Sequence, residues 1–268
     1  MKDLIIIKIG GSLITDKKSS IPKADLHNLE FISVEIAKCL KENETSLVIV
    51  HGAGSFGHGI VKESGIDKGI RENEQLLSFA KTQRLQNKLN VIVTDYLIKA
   101  GLAAFACQPS SFTLMDKGRV VRMDLSVIEG LLDISTIPVL YGVPAYDASL
   151  GCSILSGDQI VSYLALKLSA KRIIHATNVN GVFTSDPNKD PQAKLIPEIN
   201  KSNFKEIEKS LGGSLAVDVT GGMLGKVKET MKAGVESYII DATIPNNILK
   251  AFKGEEAGTL IKPCGKID

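Results

Sequence analysis

The amino-acid sequence predicts an α/β fold, an open αβα sandwich with a mainly parallel central sheet. Short runs of isoleucine, leucine and valine alternate with longer segments of helical periodicity from one end of the chain to the other. The short runs are apolar at successive positions, which is typical of strands that are covered on both faces. No repeat and no long linker interrupts this order, so the sequence predicts one domain over residues 1–268. Because its halves carry different motifs, we expect approximate lobes at 1–165 and 166–268.

The individual elements follow from this alternation. Predicted strands end at glycine or polar residues, and predicted helices repeat apolar residues on one face. The predicted strands are Leu4–Ile9, Ser46–Val50, Ala103–Gln108, Ile137–Tyr141, Lys171–Thr177 and Ser237–Asp241, the last paired with Thr259–Ile261. The predicted helices are Asp25–Glu42, Gln75–Leu97, Asp158–Leu168 and Gly221–Ala233. The residues of Asp186–Pro191 predict a surface loop.

Composition argues against several classes of protein. A net charge of +2 without a dense basic stripe disfavours nucleic acid and membrane surfaces as partners. No apolar run approaches the ~20 residues that span a bilayer. The four apolar residues after Asp3 predict a strand and are too few for a signal peptide. The four cysteines are far apart and form no CxxC pair, so we expect a reduced, cytoplasmic protein without a zinc site.

The first motif with chemical meaning is Lys8-Ile9-Gly10-Gly11-Ser12, followed by Lys17. A strand that ends in two glycines lets backbone amides approach an anion without obstruction by a Cβ atom. Lys8 and Lys17 would then neutralise charge on a transferring phosphoryl group. The structural alternative is a tight turn with two solvated lysines.

A second glycine-rich loop follows the strand that ends at Val50, and it is bracketed by His51 and His58. We expect His51, at the strand exit, to make a structural hydrogen bond. We expect His58, in the loop, to help hold an anionic acceptor, with amides and imidazole both donating.

The same loop also matches GxGxxG at Gly52, Gly54 and Gly57, and this match indicates a dinucleotide site as an alternative. Two observations disfavour that interpretation. The loop is not the first βα turn of the chain, and a dinucleotide has no need of two flanking imidazoles.

Three further segments lie at predicted helix starts or strand ends. Asp158, in Leu155-Ser156-Gly157-Asp158-Gln159, either caps its helix or orients the lysines through a charge-assisted bond. A polar turn begins at Thr177-Asn178-Val179-Asn180-Gly181. The run Thr220-Gly221-Gly222-Met223-Leu224-Gly225-Lys226 again combines glycines with a lysine early in a helix. Several glycine-rich anion loops in one α/β chain favour phosphate chemistry over a purely structural origin.

Taken in order, these five segments resemble those of the amino acid kinase family, over nearly the whole chain. Gly54-Ser55-Phe56-Gly57-His58, with Lys17 after Ile14-Thr15-Asp16, is more specifically similar to the isopentenyl phosphate kinases within it. The resemblance implies the amino acid kinase fold, transfer of a phosphoryl group from ATP with Mg²⁺ to isopentenyl phosphate in isoprenoid biosynthesis, and a homodimer.

The resemblance also implies roles for individual residues. Lys17, Lys8, His58 and Asp158 would be catalytic, with Asp158 positioning the lysines. The nucleotide would be bound by Lys8, Ile9, Gly10, Gly11, Ser12, Gly54, Asn178, Gly222 and Lys226. The acceptor would be bound by Ala53, His58 and Gly157, and its apolar tail by the helices after the His58 loop.

This chain departs from the family pattern at three positions. Asn178 and Asn180 stand where many relatives have Asp, and Phe183 stands where relatives often have Tyr. These changes leave phosphate chemistry untouched but affect any assignment of contacts to the base or ribose. Three alternatives stay open at this point: a fosfomycin-type phosphonate kinase, a NAD(P)-binding oxidoreductase and a ligand-sensing module without catalysis.

Overall fold

A computed structural model describes residues 2–16, 21–187, 189–212 and 222–262. Its strands are β1 (Asp3–Ile9), β2 (Thr45–His51), β3 (Ala104–Ala106), β4 (Thr113–Asp116), β5 (Arg119–Met123), β6 (Ile137–Tyr141), β7 (Val143–Asp147), β8 (Gly151–Leu155), β9 (Arg172–Thr177), β10 (Val182–Phe183), β11 (Leu195–Ile196), β12 (Glu198–Ile199), β13 (Ser237–Asp241) and β14 (Thr259–Ile261). Its helices are α1 (Gly11–Ile14), α2 (Leu26–Glu42), α3 (His58–Ser64), α4 (Glu74–Lys99), α5 (Ser126–Asp133), α6 (Gly157–Lys167), α7 (Phe204–Gly212), α8 (Gly222–Ala233) and α9 (Asn247–Lys253).

An eight-stranded sheet in the order β12-β14-β13-β9-β1-β2-β6-β3 forms the centre of the fold. Within the described residues all its neighbouring pairs are parallel except β13 with β14. Strand β1 lies between β2 and β9, with Ile9 opposite both His51 and Ala176. The carboxyl ends of these three strands therefore meet at one edge, where the strand order reverses and where open α/β sheets bind ligands.

Both faces of this sheet are covered, and successive residues of β1 show why. Ile5, Ile7 and Ile9 pack into a core shared with α2, α4 and α9. Leu4 and Ile6 point to the opposite face and pack with α5 and α6. Each side chain in the run is thus removed from water, which is why the strand is apolar at successive positions. The predicted αβα sandwich with a mainly parallel sheet is confirmed.

A second sheet, in the order β5-β4-β7-β8, was not predicted. Its two hairpins are joined by the buried carboxylate of Asp147. This carboxylate accepts hydrogen bonds from the backbone N–H of Gly118 at 2.8 Å and from the hydroxyl of Ser153 at 2.8 Å. Strand β5 has little apolar patterning because most of its residues are exposed or half-buried. The sequence therefore gives no period-two signal for it.

The predicted helices and strands of the central layer are confirmed with small shifts of their bounds. Asp25 precedes α2 and caps it, its carboxylate accepting from the backbone N–H of Asn28 at 3.0 Å. The strand predicted over Ala103–Gln108 is shorter, Ala104–Ala106, and a 3₁₀ turn begins at Pro109. The predicted start of α8, Gly221, lies outside the described residues. In the part of the chain described, no helix is long and apolar enough to cross a membrane.

Candidate active site

A cavity of about 280 Å³ opens at the carboxyl ends of β1, β2 and β9. Most residues predicted for the site lie in its wall, although they come from segments far apart in the chain. They are Lys8, Gly10, Gly11, Ser12, Ala53, Gly54, His58, Gly157, Asp158, Asn178, Gly222 and Lys226. Two predicted residues are not among them. The side chain of Ile9 is buried in the core, and Lys17 lies outside the described residues.

The two glycine loops pack directly against each other. A Cβ atom on Gly11 would lie 2.3 Å from the backbone nitrogen of Gly54, and one on Gly52 would lie 2.6 Å from that of Gly11. Gly54 also has φ of +50°, a conformation that a side chain disfavours. Thr15 ties the loops together, because its hydroxyl donates to the carbonyl of Gly11 at 2.7 Å and accepts from the N–H of Ser55 at 3.0 Å. The glycines are therefore required by close backbone contact.

Asp158 joins two lysines from different parts of the chain. Its Oδ1 lies 3.2 Å from Nζ of Lys8 and 3.1 Å from Nζ of Lys226, and all three side chains are buried. Ser156, rather than Asp158, caps α6, since its hydroxyl accepts from the N–H of Gln159. Of the two roles left open by the sequence, the geometry agrees with contact to the lysines.

The charges in this cluster shift one another's protonation. Burial alone would raise the pKa of Asp158, but Lys226 and Lys8 hold that pKa well below its usual range. Burial lowers the pKa of Lys8 to about 8, with Asp158 opposing this effect and Lys226 adding to it. The carboxylate is therefore ionised throughout the neutral range, whereas Lys8 changes charge just above it.

His175, on β9, was not predicted and lies behind Asp158. Its Nε2 lies 2.9 Å from the hydroxyl of Thr230, and its Nδ1 lies 3.7 Å from Oδ1 of Asp158. Burial lowers the pKa of this histidine well below its usual value, so its ring is neutral. The available signal was a histidine between the buried apolar residues Ile174 and Ala176 of the strand.

The two histidines that bracket the second glycine loop differ in their surroundings. His51 is buried, stacks on Tyr141 and places Nε2 3.1 Å from Oδ1 of Asn90. Burial lowers the pKa of His51 to about 4, so the ring is neutral. The structural hydrogen bond predicted for it is confirmed. His58 begins α3 and is exposed at the wall of the cavity, where it can meet a ligand.

On the opposite wall, Asn178 follows directly after β9. Its amide oxygen lies 3.4 Å from the hydroxyl of Ser12, which connects this turn to the first glycine loop. The hydroxyl of Thr177 holds the turn in place by donating to the carbonyl of Ile240 and accepting from the N–H of Val179. Gly222 and Lys226 reach the cavity from α8. This wall is built from the C-terminal half of the chain.

Gln86 was also missed by sequence reasoning. It lies on α4, is 3% exposed and lines the cavity. A glutamine in a polar helix is ordinarily a surface residue, so the sequence offers no signal for it.

The sequence and the structure both match known proteins over almost the full chain. The profile of the amino acid kinase family matches residues 3–242. The isopentenyl phosphate kinase of Methanothermobacter thermautotrophicus is 42% identical, over 96% of this chain and 98% of that protein. The isopentenyl phosphate kinase of Methanocaldococcus jannaschii is 36% identical, over 96% and 98%. A solved structure of an isopentenyl phosphate kinase that is 40% identical superposes with a TM-score of 0.83, covering 97% of this chain and 100% of the other. The chain belongs to the amino acid kinase family and, within it, groups with the isopentenyl phosphate kinases.

Proposed function

We propose that this protein transfers the γ-phosphoryl group of ATP to isopentenyl phosphate and so forms isopentenyl diphosphate. The observation that carries the proposal is one cavity with two kinds of wall. Lys8 and Lys226 are held by Asp158 at its floor, and His58 projects from the loop beside it. The lysines suit the phosphates of a nucleotide, and the imidazole suits an acceptor that is itself a phosphate.

The electrostatic problem in such a reaction is the approach of two polyanions. Each pair of unit charges repels by about 1 kcal/mol at about 4 Å even in water, and by more in a cavity that excludes water. Buried lysines oppose this repulsion without being reorganised during the reaction. Asp158 keeps them charged and in place, since a buried ammonium group without a partner tends to lose its proton.

We assign the donor site to the first glycine loop and the C-terminal wall. Lys8, Gly54 and the amides of Gly10–Ser12 would contact the ATP phosphates. Asn178, Gly222 and Lys226 would lie along the nucleotide. This assignment agrees with the sheet, in which the strands on one side of β1 come from the C-terminal half of the chain and those on the other side from the N-terminal half. On the basis of this assignment we also propose that the domain is divided into approximate lobes at residues 1–165 and 166–268.

We assign the acceptor site to Ala53, His58 and Gly157. Next to His58 the cavity wall includes Val61 and Ile154. These two side chains belong to a small apolar cluster that also includes Phe79. An apolar tail attached to the acceptor phosphate would be removed from water there, which favours binding in proportion to the area buried.

The chemical step needs little from the protein besides placement and charge. A phosphate oxygen of the acceptor attacks the γ-phosphorus and forms the new O–P bond, while the bond from that phosphorus to the β-bridging oxygen breaks and ADP leaves. The acceptor oxygen is already ionised at neutral pH, so no general base is required. Positioning and electrostatic stabilisation would supply most of the rate.

Mg²⁺ is compatible with this site when it is bound to the phosphates of ATP. Among the described residues, no three His, Cys, Asp or Glu side chains are placed together to hold a metal ion. Asp158 is engaged by two lysines. Mg²⁺ typically keeps several waters and is bound largely by nucleotide phosphates, whose charge it neutralises. We therefore propose that it enters the cavity on ATP.

The remaining proposals concern Lys17 and the state of the protein. Lys17 would stabilise charge on the transferring phosphoryl group. We also propose a cytoplasmic homodimer. Cys39, Cys107 and Cys152 are buried free thiols, which suits a reducing compartment. Light scattering coupled to gel filtration would test the dimer.

The deciding experiment is an ATP-dependent assay of isopentenyl, dimethylallyl and geranyl phosphates beside fosfomycin, followed by ³¹P NMR. We expect ADP and a new diphosphate resonance from isopentenyl phosphate. Turnover of fosfomycin alone would instead support the phosphonate kinase alternative. Calorimetry with NAD would test the oxidoreductase alternative, which family membership disfavours.

A further inference from the structure

Helix α4 buries a stripe of polar side chains at four-residue spacing, namely Thr82, Gln86, Asn90 and Thr94. The hydroxyl of Thr82 donates to the carbonyl of Ser78 at 2.8 Å, and Asn90 contacts His51. In contrast, Oε1 of Gln86 and Oγ1 of Thr94 are buried without a hydrogen-bond partner in the described part of the chain. An unpartnered buried polar group is destabilising, so each needs an explanation.

Gln86 differs from Thr94 because it lies in the wall of the cavity. Its Nε2 packs against the second glycine loop, where a Cβ atom on Gly57 would come within 2.2 Å of it. Gly57 directly precedes His58. The amide therefore packs against the loop that carries His58, and Gly57 leaves space for it because glycine has no Cβ atom.

A structural role alone does not explain a glutamine at this position. The nearby wall includes the apolar Val61 and Ile154, and leucine would fill a similar volume without leaving a polar atom unpaired. Oε1 is an acceptor and a phosphate oxygen cannot pair with it, but Nε2 of the same amide is a donor that makes no hydrogen bond to the described residues. A ligand in the cavity that offers an acceptor can therefore pair with this amide through Nε2. Phosphate oxygens at neutral pH are strong acceptors, and an amide N–H can donate to them.

We propose that Gln86 is a further acceptor-binding residue, whose Nε2 donates a hydrogen bond to a phosphate oxygen of a phosphate monoester. This inference rests on the proposed function, because it uses the same cavity for the acceptor. It adds a contact from α4, next to Gly57 of the loop that carries His58, and it makes the amide a determinant of specificity for a phosphate-bearing acceptor.

The test uses Gln86→Leu and Gln86→Glu, with Thr94→Val as the matched control. Thr94→Val removes the other unpartnered polar group on the same helix, but outside the cavity wall. Binding of methyl phosphate and of isopentenyl phosphate is measured by calorimetry with ADP at saturation. KM for each substrate, kcat and the melting temperature are measured alongside.

For Gln86→Leu we expect affinity for both monoesters to fall about ten- to a hundredfold. The KM for ATP should stay within about twofold, and the melting temperature should be unchanged or higher, because an unpaired polar group is lost. Gln86→Glu should weaken binding further, since a carboxylate repels phosphate. Thr94→Val should leave both affinities unchanged.

The outcomes separate this inference from the proposed function. Equal monoester affinity in the wild type and Gln86→Leu would overturn the role of Gln86, even if isopentenyl phosphate is turned over. Loss of methyl phosphate binding in Gln86→Leu, with no turnover of isopentenyl phosphate by the wild type, would support Gln86 and overturn the proposed acceptor. A wild type that binds no monoester would overturn both.

Discussion

Nζ of Lys226 lies 3.1 Å from Oδ1 of Asp158 and 3.4 Å from Oδ2, although the two residues are 68 positions apart. Lys8 shares the same carboxylate from a third element, β1. One buried anion therefore holds two buried cations, and the cluster carries a net positive charge before any ligand binds. This positive charge would attract a phosphate group that enters the cavity.

Replacing Asp158 by Asn should destabilise the protein and slow the reaction. Two buried ammonium groups would lose their counter-charge, and breaking a buried ion pair in this way costs about 3–5 kcal/mol. Misplacement of the lysines should lower kcat about a hundredfold. Thermal unfolding and steady-state kinetics measure the two effects.

The matched control is Asp3→Asn, which removes the exposed ion pair with Lys171. It should cost less than about 1 kcal/mol, because water already screens that pair. If Asp158→Asn melted no earlier than Asp3→Asn, the buried cluster would not be stabilising in the way described.

The activity should fall on the alkaline side with an apparent pKa near that of Lys8, about 8. Only the protonated amine attracts ATP, so kcat/KM for ATP should decline about tenfold per pH unit above that value. The contribution of Lys8 to the stability of the fold changes with pH in the opposite direction. Its pKa is lowered in the folded state from 10.5, so the unfolded chain binds more protons between these values and stability rises with pH there.

A Lys8→Arg variant checks this assignment. Its guanidinium stays charged throughout the range, so the alkaline decline should disappear even if the maximal rate is lower. A decline that persisted unchanged in Lys8→Arg would mean that another group titrates.

His58→Ala should lower kcat/KM for isopentenyl phosphate about ten- to a hundredfold while leaving ATP affinity within about twofold. The imidazole lies at the part of the cavity wall that we propose binds the acceptor, and loss of a hydrogen bond to a charged ligand costs about 1.5–3 kcal/mol, or roughly ten- to a hundredfold. His27→Ala is the control, since His27 is exposed on α2. Normal turnover by His58→Ala would place the acceptor elsewhere.

Lys17→Ala should lower kcat more than it weakens ATP binding, because the proposed role of Lys17 lies in the transition state. Lys18→Ala provides a control of the same charge at the next position. The reverse pattern, weak ATP binding with a normal kcat, would make Lys17 a ground-state binding residue.

Gly11→Ala should destabilise the protein by about 1–3 kcal/mol and abolish activity, because its methyl group would clash with the backbone of Gly54. Gly59→Ala is the control, since a Cβ atom there meets nothing within 4 Å. It should be neutral or slightly stabilising in the short helix α3. Equal melting temperatures for the two variants would contradict the close contact of the loops.

Much of the central layer could be predicted from sequence because it follows from burial. The apolar runs of β1 and β2 can be stable only between two covered faces, and the glycines at their ends mark the loops. Strand β5 was missed because it is mostly exposed and carries two arginines. Local pattern cannot identify a strand whose stability depends on the buried carboxylate of Asp147 on another hairpin.

Most of the residues that line the cavity could be named from the sequence, whereas the contacts between them could not. Glycines and lysines next to strand ends are visible in the sequence, but the contact of Asp158 with Lys8 spans 150 positions. Both roles suggested for Asp158 therefore stayed open until the fold brought the residues together. Gln86 gave no usable signal, because only the fold shows that its side chain is buried at the cavity with Oε1 left without a partner.

The position of β1 between β2 and β9 has a consequence for synthesis of the chain. While the ribosome is still adding the first half, β1 can pair with β2, but its other edge has no partner until β9 emerges. Lys8 lies on that strand, and a charged residue on an open edge discourages pairing with other chains. We therefore expect Lys8 to disfavour pairing of this open edge with other chains before it meets Asp158 in the complete fold.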